Sequence, residues 1–541
     1  MVCLLIGVGA PHRTGPIGPE SRTDWRIQGL RREILVSASS HETWVALLED
    51  RLLVELMFDR PDQGRLVGDM YLGRVEAVLP GIQAAFVDIG TEKAGFLHVS
   101  DLNWDDEEES ENGGNGNRRS RKFPPIQDLI QKGQDILVQV TKEPIGTKGP
   151  RLTAQLSLPG RFLVYMPQSS HVGVSRKIDD RGERSRLRKL AKEILPPDSG
   201  GIIVRTVGEE LNQGTFKGEF KRLREQWLEI DEKARNASAP ALIRREAKLI
   251  SGLIRDLFSA KFDAITIEGK ATHNEVVQYV RSVDPDLLGR VKLYESEEPL
   301  FDSLGVQDEI QRAFQRRVGL PSGGYIIIEP TEALVSIDVN TGRFTGKKKK
   351  DPEHTILRTN LDAAREIARQ LRLRDIGGII VCDFIDMDSQ ENRERVLHEL
   401  RSHLGRDRAR TKAFAVSELG LIEMTRQRVR PSLFQALTSV CHTCGGTGRI
   451  FTPATVARTV ERTLKRVVVE GKEKRVVVRL HPEVALHLLE EEPQFLQRVS
   501  RGTRLKLEVR DDPLLKEDEY RLLAGPAEAD VTDRYAEAAA G

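Results

Sequence analysis

Two stretches of the chain end an apolar run on aspartate, and they decide how the fold is interpreted. They are ALVSIDVN, residues 333–340, and GGIIVCDFIDMD, residues 377–388. The two-residue period of a strand puts Asp338 and Asn340 on one face. In the second stretch, four apolar residues lead directly into Asp383. The sequence therefore predicts two strands that each deliver a carboxylate near their end.

A carboxylate at the end of an apolar strand is costly unless it is paired, hydrogen-bonded or bound to a metal. Two converging carboxylates repel each other, and Mg²⁺ relieves this while binding one or two carboxylates, several waters and a substrate phosphate. Such a centre can hydrolyse phosphodiesters. The alternative is that Asp338 and Asp383 are turn or cap residues, and spacing alone leaves both interpretations open. Asp386 and Asp388 are expected to be turn acids.

Basic residues crowd around these two stretches. Four lysines run from Lys347 to Lys350, and residues 401–430 hold eight Lys or Arg against three Asp or Glu. The apolar stripe of the helix TNLDAAREIARQLRLRD leaves five arginines for its other faces: Arg358, Arg365, Arg369, Arg372 and Arg374. Each cluster alone is typical of a solvated helix face, but a basic surface around an acidic pair suits an enzyme that acts on nucleic acid.

Composition sets the outer limits. The chain has 541 residues, too many for one core, and 83 Lys or Arg against 82 Asp or Glu, which excludes a globally polybasic protein. Its four cysteines cannot form the disulfide framework of a secreted protein, so a reducing cytoplasm is expected. We see no apolar run of the roughly 18 residues that a membrane span requires. Residues 1–32 are expected to be a flexible extension.

Cys441 and Cys444 form a CxxC that is followed by Gly-Gly-Thr-Gly, the pattern of half a zinc site. A structural zinc site needs four ligands, and the sequence has no second CxxC. A symmetric partner could supply the other two thiolates, which predicts a zinc-linked homodimer. A redox CxxC and unmetallated surface thiols remain the alternatives.

The N-terminal half predicts β structure. Residues 33–59 alternate apolar and polar positions with a turn at Glu49-Asp50, as in a hairpin. Short strands between Gly and Pro-Gly turns at residues 66–102 suit a small barrel, which residues 135–160 could close. The acidic-then-basic stretch 105–122 is expected to be an exposed loop.

Together these motifs resemble the ribonuclease E/G family of endoribonucleases, and its ribonuclease G branch more closely. The resemblance rests on SIDVN, TNLDAAREIARQLRLRDIGGIIVCDFIDM, DRAR, GLIEMTRQR, CHTCGGTG and the barrel stretch GRVEAVLPGIQAAFVDIGTEKAGFLHVSD. It implies an α/β multidomain fold. The implied parts are a discontinuous RNase H-like domain (33–66 and 252–313), an inserted S1-type OB-fold barrel (67–158, with a disordered insert at 104–122), a 5′-sensor region (159–251), a DNase I-like catalytic domain (314–437), a zinc-link (438–450), a small α+β domain (451–525) and a disordered tail (526–541).

The resemblance also implies chemistry. Asp338 and Asp383 would hold a catalytic Mg²⁺, and Asn340 would orient the metal site or the scissile phosphate. Water would then hydrolyse single-stranded RNA to 5′-phosphate and 3′-hydroxyl ends, in ribosomal RNA maturation and mRNA decay.

The same resemblance implies residues that bind RNA away from the metal. A 5′-monophosphate sensor would use five residues: Arg205, Thr206, Gly160, Val164 and Arg410. In the barrel, Phe86, Phe96 and Lys148 would hold single-stranded RNA, although inward-pointing phenylalanine in a small barrel is more often core.

Cys441 and Cys444 would bind a Zn²⁺ shared between two protomers. Members of the E type form tetramers as paired dimers, so dimer and tetramer both stay open. Two other functions are the alternatives. One is a non-catalytic RNA-binding protein that keeps the barrel, disfavoured because Asp338, Asn340 and Asp383 are all present. The other is a small-ester phosphatase, disfavoured by the barrel and the distributed basic residues.

Overall fold

The computed structural model describes residues 30–536, apart from a series of gaps. The gaps are residues 40, 61–65, 103–123, 145–147, 176–177, 179, 198, 210–211, 247–248, 260, 343–351, 418, 429 and 502–503. Most of the predicted extension, the acidic-then-basic loop 105–122 and the four lysines at 347–350 therefore lie outside the described residues.

Strands are numbered in chain order over the described residues. They are β1 (Arg32–Ala38), β2 (Thr43–Glu49), β3 (Leu52–Asp59), β4 (Met70–Leu79), β5 (Ala84–Asp88), β6 (Gly95–His98), β7 (Asp135–Lys142), β8 (Arg151–Thr153), β9 (Leu158–Pro159), β10 (Leu163–Met166), β11 (Val172–Val174), β12 (Gly201–Val204), β13 (Ala241–Arg244), β14 (Ala264–Glu268), β15 (Val291–Tyr294), β16 (Arg317–Gly319), β17 (Tyr325–Pro330), β18 (Leu334–Asn340), β19 (Gly378–Asp383), β20 (Thr411–Val416), β21 (Leu421–Arg426), β22 (Arg475–Leu480), β23 (Lys506–Asp511), β24 (Tyr520–Ala524) and β25 (Ala529–Asp530).

The helices are numbered in the same way. They are α1 (Ile126–Leu129), α2 (Arg181–Ile194), α3 (Gln213–Asn236), α4 (Leu249–Asp256), α5 (Lys270–Val283), α6 (Leu300–Ser303), α7 (Val306–Arg312), α8 (Pro352–Leu373), α9 (Gln390–Leu404), α10 (Leu433–Leu437), α11 (Pro453–Glu470), α12 (Pro482–Glu490), α13 (Phe495–Ser500) and α14 (Thr532–Tyr535). Short 3₁₀ turns span Pro80–Ile82, Val99–Asp101, Thr206–Gly208 and Pro285–Arg290.

The chain divides into two compact units, one up to Ala436 and one from Leu437. In the first unit, one sheet joins distant parts of the sequence in the order β15-β14-β1-β2-β3. The β2–β3 hairpin turns at Asp50 and Arg51, which both have positive φ, the backbone geometry of tight two-residue hairpins. The chain leaves this sheet after β3 and returns to it at β14.

The chain between β3 and β14 contains a closed barrel. Its five strands run in the order β4-β5-β6-β8-β7, the pairing of β7 with β4 closes the ring, and β13 adds to the outside of β4. Val75, Val87, Leu97 and Val138 fill the interior, because alternate residues of each strand point inward. The predicted OB-like barrel is therefore present.

A smaller sheet of the first unit packs against helices α2 and α3, in the order β11-β12-β10-β9. The loop before β10 is held by Glu219 of α3. This buried carboxylate accepts three successive backbone N–H groups, those of Arg161, Phe162 and Leu163, at 2.7–2.9 Å.

The sheet that carries the two aspartates has the order β16-β17-β18-β19-β21-β20. Its parallel pair is β18 with β19, and the other neighbours are antiparallel. One face packs on α8 and α9, where Ile337, Ile380 and Met424 join Ile367 and Leu371 in the core. We call the opposite face, which alternates with these core positions along each strand, the open face.

The second unit has its own core, formed by a sheet in the order β23-β22-β24-β25 and helices α11 to α14. Residues 526–536, which were predicted to be part of a disordered tail, include regular secondary structure. β25 and α14 form there, and Tyr535 is buried because its ring completes the core beside α11. None of the described helices combines the length and apolarity needed to cross a membrane.

Candidate active site

Asp338 and Asp383 lie side by side at the carboxyl ends of β18 and β19. The two parallel strands pair in register, so the aspartates are direct neighbours on strands about 4.8 Å apart. Both side chains are exposed on the open face. Asn340 donates from Nδ2 to Asp338 Oδ2 at 2.7 Å. The structure thus brings together the three residues predicted for the catalytic centre.

The electrostatics of this pair are those of crowded like charges. Partial burial, together with the carboxylates of Asp338 and Asp386, raises the pKa of Asp383 above its ordinary value. Asp386, which we predicted to be a turn acid, therefore lies close enough to act on Asp383. A cation bound beside Asp383 would stabilise its ionised form, because it would offset the charge of the neighbouring carboxylates.

A hard divalent cation fits this donor set, since the oxygens come from adjacent carboxylates and Mg²⁺ takes one or two carboxylates while keeping waters. In the part of the chain that the structure describes, no cluster of three or more His, Cys, Asp or Glu side chains is arranged to hold a metal. The donor set at this site is therefore the two adjacent carboxylates of Asp338 and Asp383.

Asn360, which was not among the residues predicted from the sequence, positions the loop that follows Asp383. Asn360 is fully buried in α8; its Nδ2 donates to the carbonyl of Ile385 at 2.8 Å, and its Oδ1 accepts from the N–H of Ile385 at 3.1 Å. A signal was available, because Asn360 shares the helical spacing of Ala364, Ile367 and Leu371 on the apolar stripe. A polar residue on a buried stripe needs a polar partner.

The arginines of α8 do not all form the basic surface that the sequence predicted. Arg369 donates to Glu309 at 2.8 Å, and Arg372 donates to Glu55 at 3.0 Å. Arg374 is buried, which lowers its pKa to about 10. Arg369 and Arg372 hold α8 in place within the first unit, whereas Arg374 donates to Gln370 of α8 itself at 2.6 Å. Of the five arginines only Arg358 and Arg365 are exposed, and Arg365 binds Glu399 at 2.6 Å.

The basic stretch 401–430 is divided in the same way. Arg426 is buried and binds Asp407 at 2.6 Å and Asp375 at 2.7 Å, while Arg408 pairs with Glu55. Lys412, by contrast, is exposed on β20 and forms no ion pair with any residue that the structure describes. The charge available to a polyanion is therefore smaller than the sequence count indicates.

In the barrel, Phe86 and Phe96 are cross-strand partners on β5 and β6, with ring centroids 6.0 Å apart. Both are half-buried and lie outside the barrel core, since their neighbours Val87 and Leu97 point inward. Lys148 is exposed just before β8. These phenylalanines are therefore not core residues of the barrel.

The predicted sensor residues fall into two groups. Arg205 donates from Nη1 to the carbonyl of Gly160 at 2.7 Å and to Asp256 at 2.6 Å, and Thr206 follows it at the start of a 3₁₀ turn. Val164 lies on β10 opposite Ile203 of β12, and Ile203 is two residues before Arg205. Glycine is required at 160, because a Cβ there would lie 2.8 Å from the Glu219 carboxyl carbon.

Arg410, the fifth predicted sensor residue, lies just before β20. Its side chain is exposed and forms no ion pair within the described residues, and its carbonyl accepts from Gln427 N–H. No contact joins Arg410 to Arg205 among those that the structure describes. The sequence did not indicate two residues that matter here: Asp256, which binds Arg205, and Glu219, which holds the loop that follows Gly160.

Cys441 and Cys444 lie at the start of the second unit, Cys441 exposed and Cys444 partly exposed. Backbone N–H groups of Cys444 and Thr443 lower the pKa of the Cys441 thiol. Gly445, Gly446 and Gly448 have positive φ, which turns the chain tightly after the second cysteine. Cys382 lies buried in the first unit, where burial raises the pKa of its thiol to about 12, so it is no thiolate donor.

Comparison of the sequence with known proteins identifies its family. The sequence profile of the "Ribonuclease E/G family" matches residues 157–429, and that of the "RNase E/G, Thioredoxin-like domain" matches residues 440–525. The ribonuclease G of Escherichia coli K12 is 38% identical over 488 residues, which cover 90% of this chain and 98% of that protein. The chain belongs to the ribonuclease E/G family. The predictions of that family and of an endoribonuclease are therefore confirmed.

Two further relatives show how the match is distributed. The ribonuclease G of Haemophilus influenzae is 41% identical over 464 residues, 86% of this chain and 93% of that protein. The ribonuclease E of Synechocystis is 40% identical over 420 residues, 77% of this chain but 60% of that protein. The alignment extends over nearly the whole of the ribonuclease G proteins and over only part of this longer ribonuclease E.

Proposed function

We propose that this ribonuclease E/G family member is a magnesium-dependent endoribonuclease that prefers single-stranded RNA and leaves 5′-phosphate and 3′-hydroxyl ends. The observation that carries the proposal is the in-register pairing of Asp338 with Asp383, with Asn340 bonded to the first. Ribosomal RNA precursors and mRNA are the substrates we expect. A protein that only bound RNA would have no use for two mutually repelling carboxylates on an exposed face.

Asp338 and Asp383 would hold the Mg²⁺. When bound, the ion would acidify a water and polarise the scissile phosphate. Asn340 restrains one carboxylate through its amide, so this carboxylate keeps its orientation without the ion. Asn360 restrains the loop after Asp383, so both halves of the pair are held by buried or hydrogen-bonded neighbours.

Outside the metal site, Phe86 and Phe96 present half-exposed rings on which bases can stack, and Lys148 can take the backbone. We assign the 5′-monophosphate to Arg205 and Thr206, with Gly160 and Val164 beside them and Arg410 in support. An arginine and a hydroxyl suit a terminal phosphate because both donate to its oxygens. Asp256 orients this arginine, although its charge also opposes an incoming phosphate.

The metal and the 5′ end are tested together with labelled single-stranded RNA carrying either a 5′-monophosphate or a 5′-hydroxyl. We expect cleavage in magnesium, none in EDTA, and faster cleavage of the monophosphorylated substrate. Thr206→Val should bring the two rates together, because the 5′-hydroxyl substrate does not use this hydroxyl. Equal cleavage in EDTA would contradict the metal dependence, and equal rates in the unmodified enzyme would contradict the sensor.

We further infer that Cys441 and Cys444 bind a zinc ion shared with a second protomer. Two thiolates meet half of a tetrahedral site, and a two-fold axis supplies an identical pair. Such thiolates persist in a reducing compartment, which agrees with an enzyme of the cytoplasm.

Cys441→Ser should remove both the zinc and the dimer, because the site loses one ligand in each protomer. Zinc content by mass spectrometry should fall from one ion per two chains to background, and sedimentation should give the monomer mass. His442→Asn is the matched control, since this exposed residue lies between the thiols and should leave both readouts unchanged. Retention of zinc and dimer by Cys441→Ser would exclude the shared site.

A further inference from the structure

Aromatic rings flank the two aspartates on the open face. On β20, the exposed Phe414 lies beneath Lys412, whose Nζ is 4.7 Å from the ring centroid. On the other side, Tyr325 of β17 lies beneath Arg317 of β16, with the guanidinium carbon 3.9 Å from the ring centroid. Both distances are within the range of cation–π contact.

The register puts both pairs on the face that carries the carboxylates. Tyr325 is the direct cross-strand partner of Asn340, and residues opposite each other in a ladder point to the same side. Lys412 pairs with Thr425, and Thr425 pairs with Ile379, which shares the face of Asp383. Neither pair is therefore part of the core beneath α8 and α9.

A β-bulge separates Phe414 from the regular ladder. The register shifts between Ala413 and Val416, while Ala413 and Val416 pack on the core. The extra residue of the bulge leaves Phe414 outward, with 42% of its surface exposed. A single exposed phenylalanine is common on protein surfaces, but beside the two aspartates such a ring can stack on a base of bound RNA.

Two cations on the open face are available to a polyanion, although the exposed Glu423 of β21 lies on the same face as Asp338 and Asp383. Arg317 and Lys412 form no ion pair with any side chain in the described part of the chain, whereas Arg369, Arg372 and Arg426 all do. From β17 to β20 the sheet spans four strand spacings, roughly 19 Å, with the carboxylate pair inside that span. This width accommodates several nucleotides of an extended strand.

We propose that single-stranded RNA crosses the open face obliquely to the strands, with one base stacked on Phe414 and another at the Arg317–Tyr325 pair. Its backbone then passes over Asp338 and Asp383 between these two contacts. This inference rests on the proposed function and adds the positions of the nucleotides that flank the scissile phosphate.

Binding is measured in the full-length chain carrying Asp383→Asn, so that cleavage does not interfere. The probe is a 5′-monophosphorylated, 3′-fluorescent single-stranded oligonucleotide, followed by anisotropy in magnesium buffer. We expect Phe414→Ala and Arg317→Ala each to weaken binding about tenfold, since one stacked base contributes on that order. Phe414→Trp should restore it, because indole stacks at least as well.

Phe58→Ala is the matched control. Phe58 lies on the sheet of β1 to β3, and the guanidinium carbon of Arg60 is 5.8 Å from its ring centroid. The substitution therefore removes a comparable cation-covered ring outside the open face. We expect its affinity for the probe to stay at that of the parent. In the otherwise unmodified enzyme, Phe414→Ala should raise KM while kcat stays within about twofold.

A scan with single abasic nucleotides separates stacking from a structural role. In the parent, the abasic site at the stacking position should weaken binding about tenfold, and in Phe414→Ala the same abasic site should have no further effect. Unchanged affinity in both Phe414→Ala and Arg317→Ala would overturn the proposal. So would a switch of Phe414→Ala to monomer with unchanged RNA affinity, which would mean that a second copy covers the face. Failure of the unmodified enzyme to cleave RNA would count against the proposed function instead.

Discussion

Asp383→Asn should lower the rate of RNA cleavage by at least about a thousandfold while RNA affinity changes little. The substitution keeps the volume of the side chain and removes one of the two charges that would hold the metal. A bound metal contributes several kcal/mol to transition-state stabilisation, and each 1.36 kcal/mol corresponds to a factor of ten. The carboxylate is exposed, so its loss should leave the melting temperature close to that of the parent.

Asp388→Asn is the matched control for this prediction, because Asp388 is an exposed carboxylate five residues further along the same loop. Single-turnover cleavage should be unchanged in this variant. Anisotropy with the same oligonucleotide should give similar affinities for both variants and the parent. Full cleavage by Asp383→Asn would refute the assignment of the active site, and loss of binding would give Asp383 a different role.

The aspartate pair could be predicted from sequence because strand period and apolar runs are local signals. The alternation in residues 334–340 identified the face of Asp338, and the apolar run before Asp383 identified the neighbouring strand. Register was not available, since it depends on how β18 and β19 meet across α8. The observed pairing of Asp338 with Asp383 is therefore the part of the site that the structure adds.

The basic surface was predicted less well because the partners of its arginines are distant in sequence. Glu55, which binds Arg372 and Arg408, lies more than 300 positions before either. Charge counts along a helix cannot distinguish an arginine that faces solvent from one that meets a carboxylate of another sheet. Tyr535 illustrates the same limit, because nothing near it in sequence indicates the core that it completes.

The prediction with the largest expected effect on stability concerns Arg426, the last residue of β21. The other end of this strand is Leu421, which pairs with Asp383. Its guanidinium binds Asp407 at 2.6 Å and Asp375 at 2.7 Å, and also donates to the carbonyl of Ile376 at 3.0 Å. All three charged side chains are buried. Arg430 also pairs with Asp375, but Asp407 has no other cationic partner among the described residues, and a buried charge left without its partner typically costs about 3–5 kcal/mol.

Arg426→Met should therefore lower the free energy of unfolding by about that amount, measured from the urea midpoint by circular dichroism. Methionine fills a similar volume but leaves Asp375 and Asp407 without their shared donor. Arg358→Met is the matched control: this exposed arginine lies on α8, and its loss should change stability by no more than about 0.5 kcal/mol.

RNA cleavage by the folded fraction of Arg426→Met tests whether a change at the start of β19 affects Asp383 at its end. Asp375 and Ile376 precede β19, whereas Asp383 ends it, and Asn360 holds the active-site loop independently of Arg426. The rate per folded molecule should therefore stay near that of the parent at low temperature. A large loss of rate with little loss of stability would instead mean that the buried cluster sets the position of Asp383 through the strand.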